Sequence, residues 1–445
     1  MQIQYFPQWG RHSCLPYLFF LATLLALFQL PPKSAQAEPP AAWAKSHLDD
    51  FITLYRHFHA HPELSYEERE TAARVAKEWR AVGIEVTEKT GGTGVVGVLK
   101  NGPGKTLLLR TDLDALPVTE QTGLAYASQV KAKAAAGETG VMHACGHDIH
   151  ITSLIAVARW FAAHKDQWNG TLVFIGQPAE ERVGGAKSML ADGLFTKFPR
   201  PDYCLALHCD ADMAAGKVGV RGGYALANVD GVNITMIGRG GHGASPHTTI
   251  DPIVMAAQLV VSLQTIVSRE IKPTDPAVIT VGSIHGGTKH NIIGNECHLQ
   301  LTVRSYSDKV REHLKEAIIR KAKAVAAGAA APDPKIEFEE GTPAMFNDEK
   351  LATRLRAVFV RELGQDNVEE PEPVMGAEDF SEYGKAGVPI IMFRLGTIDP
   401  PRLARMKQLG QQPPSLHSPL YYPDAEASLA TGIHTTVAAA LELLK

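Results

Sequence analysis

Three short apolar runs constrain this chain most. Thr106-Leu107-Leu108-Leu109-Arg110, Leu172-Val173-Phe174-Ile175 and Tyr203-Cys204-Leu205-Ala206-Leu207 are continuous rather than alternating. Such runs belong to strands covered on both faces, as in a sheet layered between helices. Each ends in polar residues: Thr111-Asp112-Leu113-Asp114, Gln177-Pro178-Ala179-Glu180-Glu181 and His208. Helical spacing from Ser46 to Ala60, Glu67 to Val82 and Ile149 to Ala163 alternates with strands near Ile84–Thr87 and Gly94–Leu99. The pattern predicts an α/β layered domain with its ligands at the carboxyl ends of the strands.

At 445 residues and 45% apolar content the chain is long enough for two cores. The net charge of −4 is spread without a basic stripe, which argues against nucleic acid as a partner. Arg11, the apolar run Leu15 to Leu30 and Ala35-Gln36-Ala37 have the layout of a secretory signal peptide. Residues 1–37 are therefore expected to be cleaved after Ala37 and the protein secreted or periplasmic, with no stable membrane association afterwards. No other stretch reads as long and apolar enough to cross a membrane, and residues 38–43 read as a flexible tether. Cys145, Cys204, Cys209 and Cys297 remain after cleavage, too few for a disulfide framework, although a Cys204–Cys209 bridge stays open.

The texture changes near Val229. A strand at Val232–Met236, a glycine-rich loop, a helix from Pro252 to Ser268, strands at Ala277–Ile284 and Leu299–Ser305, and a helix from Lys309 to Ala327 give the order β-α-β-β-α. Lys335 to Phe338 closes it as a last strand, a small ferredoxin-like sandwich. It is inserted, because polar chemistry resumes after it at His417. The expected divisions are 44–228 and 341–445 for a catalytic domain and 229–340 for the insertion.

The run His143-Ala144-Cys145-Gly146-His147-Asp148 puts two imidazoles, a thiol and a carboxylate within six residues. Cys145 and His147 flank one glycine and can face one metal centre, while Asp148 falls near a helix N-terminus, where a carboxylate is favourable. The bland alternative is a buried cysteine with capping polar neighbours. Glu180 and Glu181 leave a strand end in opposite directions, so one can bind metal while the other serves as base. Alone, such a pair is ordinarily a solvated surface pair, and His208 or His417 alone an ordinary structural histidine. Together, Cys145, His147, Glu181, His208 and His417 make five ligands, which with a water suit two divalent ions sharing a bridge. In the inserted region, the loop Gly240 to His247 offers His242 and His247, Arg304 can fork onto a carboxylate, and Asn291 lies nearby. A flexible hairpin, surface solvation and a turn are their plain alternatives.

Assembled, these residues make the chain resemble the M20 metallopeptidase family, and within it the amidohydrolase branch of hippurate hydrolases, aminoacylase-like enzymes and auxin-conjugate hydrolases. The resemblance runs over residues 44–445. Its markers are Arg110 to Pro117, His143 to Asp148, Gln177 to Glu181, Gly240 to His247, Gly286-Gly287-Thr288 with Asn291-Ile292-Ile293, Ala377-Glu378-Asp379-Phe380, and Leu416-His417-Ser418-Pro419. It implies a mixed-sheet catalytic domain with an inserted ferredoxin-like lid. It also implies metal ligation by Cys145, His147, Glu181, His208 and His417, with Cys145 bridging and Glu180 as general base. His242 would reach into a partner subunit's site to stabilise the oxyanion, and Asn291 and Arg304 would bind substrate, in a homodimer formed through the lid. Asp112, Asp114 and Asp148 are expected behind the ligands. Gly294 and His290 depart from the family pattern beside Asn291, and Asp399 to Pro414 reads as an extra rim loop.

The expected activity is hydrolysis of an N-acyl amino acid to a carboxylic acid and a free amino acid, with the leaving carboxylate held by Arg304 or by a backbone-rich loop near Gly396. Thiolate plus imidazole favours zinc, with manganese, cobalt or nickel as alternatives. The rival activities are an M20-type dipeptidase or carboxypeptidase and a non-catalytic binding paralogue.

Overall fold

The computed structural model describes residues 38–134 and 137–445; the leader expected over 1–37 lies outside them. The larger sheet has eight strands, in the order Glu85–Thr90, Gly94–Asn101, Gly170–Gln177, Thr106–Asp112, Tyr203–Ala214, Ile390–Ile398, Val218–Gly219 and Val368–Glu369. Its four middle strands are mutually parallel, and the pairs toward the first edge are antiparallel.

Both faces of those middle strands are dry, and successive side chains go to opposite sides. Leu107, Leu109, Leu172, Phe174, Leu205, Leu207, Ile391 and Phe393 join one apolar cluster with helices Leu48–Ala60, His147–Ala163 and Ala425–Leu444. Leu108, Val173, Ile175, Cys204, Ala206, Ile390 and Met392 join a second cluster with Met189, Phe195, Phe380 and Tyr383. This double coverage is why the runs are continuous in sequence.

The second sheet is antiparallel, ordered Ala277–Gly286, Glu296–Ser305, Asn228–Ile237 and Lys335–Glu340. Helices Pro252–Glu270 and Asp308–Gly328 pack on one face around Val232, Ile234, Met236, Leu259 and Leu314. One face is buried and the other wet, so here the strands alternate, as in Asn228–Ile237. A buried Arg311–Asp230 pair, bidentate at 2.7 and 2.6 Å, ties helix to strand.

Some segments differ from their sequence readings. Residues 38–43 are not a loose tether: Pro40 starts a helix, Pro40–Ser46, because burial of Trp43 and Ala44 in the main apolar cluster draws it onto the body. The segment read as a rim loop before His417 contains a helix, Pro400–Gln408. Among the described residues, two helices do meet the length and apolar content needed to span a membrane, Pro252–Glu270 and Ala425–Leu444. Their apolarity is used otherwise, since the second is mostly buried and the first covers a sheet. Cys145, Cys204, Cys209 and Cys297 are all free and buried, so no Cys204–Cys209 bridge forms.

Candidate metal centre

The first ligand pair hangs on one obligatory glycine. Gly146 caps helix His147–Ala163 with φ +78°, and a Cβ there would meet Cys209 Sγ at 2.8 Å and Tyr421 Oη at 3.2 Å. The turn leaves Cys145 and His147 buried side by side, at 6% and 1% exposure. The His147 Nδ1–H donates to the Asp114 carbonyl at 2.8 Å, which fixes the tautomer and leaves Nε2 without a hydrogen-bond partner. That nitrogen lies 3.5 Å from Asp112, 3.8 Å from Glu181 and 3.9 Å from Glu180.

Glu180 and Glu181 sit in a single 3-10 turn entered through Ala179 at φ +48° and left through Val183 at φ +46°. Buried Glu68 holds this left-handed entry by accepting the Ala179 N–H at 2.8 Å. Asp114 accepts the Glu181 N–H at 3.0 Å. His208 ends its apolar run with Nδ1–H donating to the Cys209 carbonyl at 2.8 Å and Nε2 at 3.7 Å from Cys145 Sγ. His417 takes φ +69°, donates its N–H to the Ala144 carbonyl at 2.8 Å, and brings Nε2 to 3.4 Å from Glu181.

Two groups emerge in which each residue offers one atom and all the atoms lie within 4.8 Å of one another: Cys145, His147 and His208, and Cys145, Glu181 and His417. All five candidate ligands are thus brought together, and Cys145 is common to both groups. The donors fit divalent metal: Nε2 of His147 and Oε1 of Glu181 are buried without hydrogen-bond partners, a costly state unless a cation completes it. Burial and the Glu181, Glu180 and Asp112 carboxylates push the Cys145 thiol well above its usual range. A coordinated cation reverses that, since a ligating thiol is deprotonated.

Behind the ligands lies a carboxylate store around one guanidinium. Arg110 reaches Asp112 at 2.7 Å, Glu378 at 2.8 Å and Asp379 at 3.4 Å, all buried. Gln177 bonds Asp379 at 2.6 Å. Glu180, Glu378 and Asp379 form another close group. Burial, then the Glu378, Glu181 and Asp379 carboxylates, hold the Glu180 carboxyl well above the usual range, opposed by Arg110. Burial also pushes Asp379 up, to about 8, with Arg110 opposing and Glu378 reinforcing. Asp112 receives the His150 Nδ1–H at 2.7 Å, and His150 Nε2 accepts the Cys209 N–H. Asp148 bonds His59 at 2.7 Å. Asp112, Asp114 and Asp148 therefore all lie beside the segments that carry the candidate ligands.

The remaining candidates are placed differently. His242 and Asn291 are exposed neighbours on a two-stranded ribbon, where Gly243 N–H donates to the Asn291 carbonyl at 2.9 Å. His242 Nδ1 accepts the Ala244 N–H at 3.0 Å. Arg304 is half-buried and donates to the Met375 carbonyl at 2.8 Å. Gly396 is not in a loop. It lies inside strand Ile390–Ile398, its N–H is taken by the Lys217 carbonyl at 3.0 Å, and a Cβ would fall 2.0 Å from the Ala214 carbonyl oxygen. The position needs glycine for packing and has no donor left for a carboxylate. A cavity of about 730 Å³, lined in part by Tyr306, Arg311, Phe346 and Lys385, holds none of the candidate site residues.

Sequence reading missed Glu68, His59 and Glu120. It singled out Glu378 and Asp379 without giving them a role. The signal available for the last pair was their place in an Ala-Glu-Asp-Phe run; the others had none.

Residues 108–408 match the family model described as Peptidase family M20/M25/M40. Thermostable carboxypeptidase 1 of Saccharolobus solfataricus is 38% identical over 354 residues, covering 78% of this chain and 86% of its own. The hippurate hydrolase of Campylobacter jejuni is 39% identical over 338 residues, covering 75% and 85%. A dinuclear metal-binding peptidase from Bacillus subtilis superposes with a TM-score of 0.74 at 28% identity, over 90% of this chain and 99% of that one.

Proposed function

Because this chain belongs to Peptidase family M20/M25/M40, a family of metal-dependent hydrolases of amide bonds, we propose that it cleaves N-acyl amino acids to a carboxylic acid and a free amino acid. The observation that carries the reading is Cys145, common to two ligand groups, with the buried Glu180 carboxylate beside them. Cys145, His147, Glu181, His208 and His417 would hold two divalent ions, Cys145 being the residue common to both candidate groups. Bound there, the ions would polarise the amide carbonyl and make a water acidic enough to attack near neutral pH. Thiolate and imidazole together favour zinc, ahead of manganese, cobalt or nickel.

The protein's own groups do the rest. Glu180 takes the attacking water's proton and delivers it to the leaving nitrogen. Burial and the Glu378, Glu181 and Asp379 carboxylates raise its carboxyl above the usual range, with Arg110 opposing. The Asp114 carbonyl and the His150–Asp112 pair keep imidazoles from rotating. The Asp112, Glu378 and Asp379 carboxylates beside Glu180 are fixed on Arg110, so little reorganisation would accompany charge movement there.

His242 would stabilise the oxyanion from a second copy of the chain. Its Nδ1 accepts the Ala244 N–H, so its Nε2 carries the proton and is the available donor. A homodimer through the inserted region fits the open edge strand Ala277–Gly286 and the apolar Val254 and Val261, 52% and 70% exposed on helix Pro252–Glu270. Asn291, beside His242, and Arg304 would meet the substrate there. Export with loss of residues 1–37 belongs to the same proposal, on the strength of the Leu15 to Leu30 run and Ala35-Gln36-Ala37. N-terminal sequencing of the mature protein reads the cleavage.

The similarity to a carboxypeptidase favours a second reading, removal of a carboxy-terminal residue from short peptides. The deciding experiment is turnover by zinc-, manganese-, cobalt- and nickel-loaded protein of hippurate, N-acetyl amino acids and dipeptides. Acyl amino acids should be turned over with the highest kcat/KM, and a chelator should abolish activity. A clear preference for dipeptides would replace the first reading with the second.

A further inference from the structure

A buried ion triad lies outside the ligand set and is used by no step above. His59, near the end of helix Leu48–Ala60, is 1% exposed and sits between two carboxylates. Its Nδ1 is 2.7 Å from Asp148 and its Nε2 is 3.1 Å from Glu120, whose side chain is fully buried. Asp148 is the second residue of the helix that begins with His147, and it also accepts the Ile149 N–H at 2.9 Å. One face of the imidazole therefore anchors the first turn of a ligand-bearing helix.

The other face anchors a rim. Glu120 accepts from the Thr122 hydroxyl and, at 2.7 Å, from the Ser128 N–H, so it organises the segment 120–128 from within. Tyr126 of that segment packs edge-on against His59 at 5.2 Å between ring centroids. Gln121, which follows Glu120, donates its N–H to the Pro419 carbonyl at 2.8 Å. Pro419 is two residues from His417, which holds a left-handed backbone that a non-glycine residue adopts at a cost of roughly 1–3 kcal/mol. Among the described residues, the backbone hydrogen bonds that tie 415–419 to distant segments are Gln121 to Pro419 and His417 to Ala144. The strained residue is thus held by these two bonds to its surroundings as well as by its own turn, in which the Ser418 N–H donates to the Ser415 carbonyl at 3.1 Å.

We propose that His59 is a positioning residue, a buried histidine clamped between Asp148 and Glu120 that pins the rim segment 120–128 to the ligand helix and thereby holds His417 against Cys145 and Glu181. Burial alone would lower the His59 pKa, but hydrogen bonds to Asp148 and Glu120 outweigh it and push it up to about 9, so the clamp is charged at neutral pH. The inference rests on the reading of Cys145, Glu181 and His417 as metal ligands.

The test is a titration of the metal-stripped full chain with CoCl2, following the visible bands and the thiolate-to-cobalt absorption. The wild type should take two equivalents. His59→Gln should bind the first ion normally and the second roughly 10–100-fold more weakly, the usual effect of losing a partner behind a ligand. Glu120→Gln leaves the Asp148–His59 bond intact and should reproduce the loss, which keeps the test open if His59→Gln fails to fold. If either folded variant binds the second ion within twofold of the wild type while only its Tm falls, His59 is a structural residue and the proposal is overturned. A wild type that takes fewer than two equivalents overturns the metal reading beneath it.

Discussion

Around Cys145 the chain is dry: Asp112, His147, His150, Glu180 and Glu378 are all buried, and most of their polar atoms are bonded within the same chain. Around His242 the opposite holds. Its ribbon is exposed, and its Nδ1 accepts the backbone N–H two residues on. The first region is assembled by burial, where a low dielectric makes each misplaced charge expensive and so fixes geometry. The second is a short, glycine-flanked, exposed ribbon, which under the proposed dimer would gain its chemistry only when another surface arrives. If one region is preorganised and the other recruited, as proposed, the two should respond differently to perturbation.

The largest effect should come from Glu180→Gln. Turnover should fall about 10²–10⁴-fold while metal content and Tm hold steady; near-wild-type turnover would remove the base from Glu180. Next, His242→Ala should lower kcat about 10²–10³-fold, the cost of one oxyanion donor, without changing metal affinity. Mixing it with Glu180→Gln protein should restore activity in hybrid dimers, and a mixture that stays inactive breaks the idea of recruitment from a second copy. Leu259→Ala, in the core beneath that region, should destabilise by roughly 2–5 kcal/mol in calorimetry yet leave Co²⁺ binding unchanged. A loss of metal affinity there would mean the two regions are one cooperative whole.

The smallest effect is a pH dependence. His59 rises from 6.5 to about 9 on folding. A raised basic group stabilises fully below its unfolded pKa and loses that contribution as pH climbs through the folded one. Thermal melts of the wild type should thus decline between pH 6.5 and 9 relative to His59→Gln. Parallel curves would place the neutral imidazole in the clamp.

The same division explains what the sequence disclosed. Leu107 to Leu109 announced a doubly covered strand because a short continuous apolar run has few other uses in a sheet of this kind. Cys145, His147, Glu180 and Glu181 were legible because ligand chemistry clusters locally. His59 was not, since its partners are 61 and 89 residues away and no periodicity marks such a pair. Gly396 was misread for a related reason. A glycine after an apolar strand suggests a loop, whereas here Ala214 on the neighbouring strand leaves no room for a side chain. Trp43 misled in the other direction, because a proline-rich flank hid a helix that only burial could favour.

The four reduced, buried thiols give the molecule a set of internal clocks. Cys297 lies beneath the second sheet's helices, Cys204 in the heart of the large sheet, and Cys145 and Cys209 at the centre of the site. A small alkylating reagent can reach each only when its own surroundings open, so the four labelling rates, read by mass spectrometry, would time the breathing of separate parts of one chain. Cys145 would carry an extra hand on its clock under the proposed metal reading, because an ion bound there would shield the sulfur that the reagent attacks.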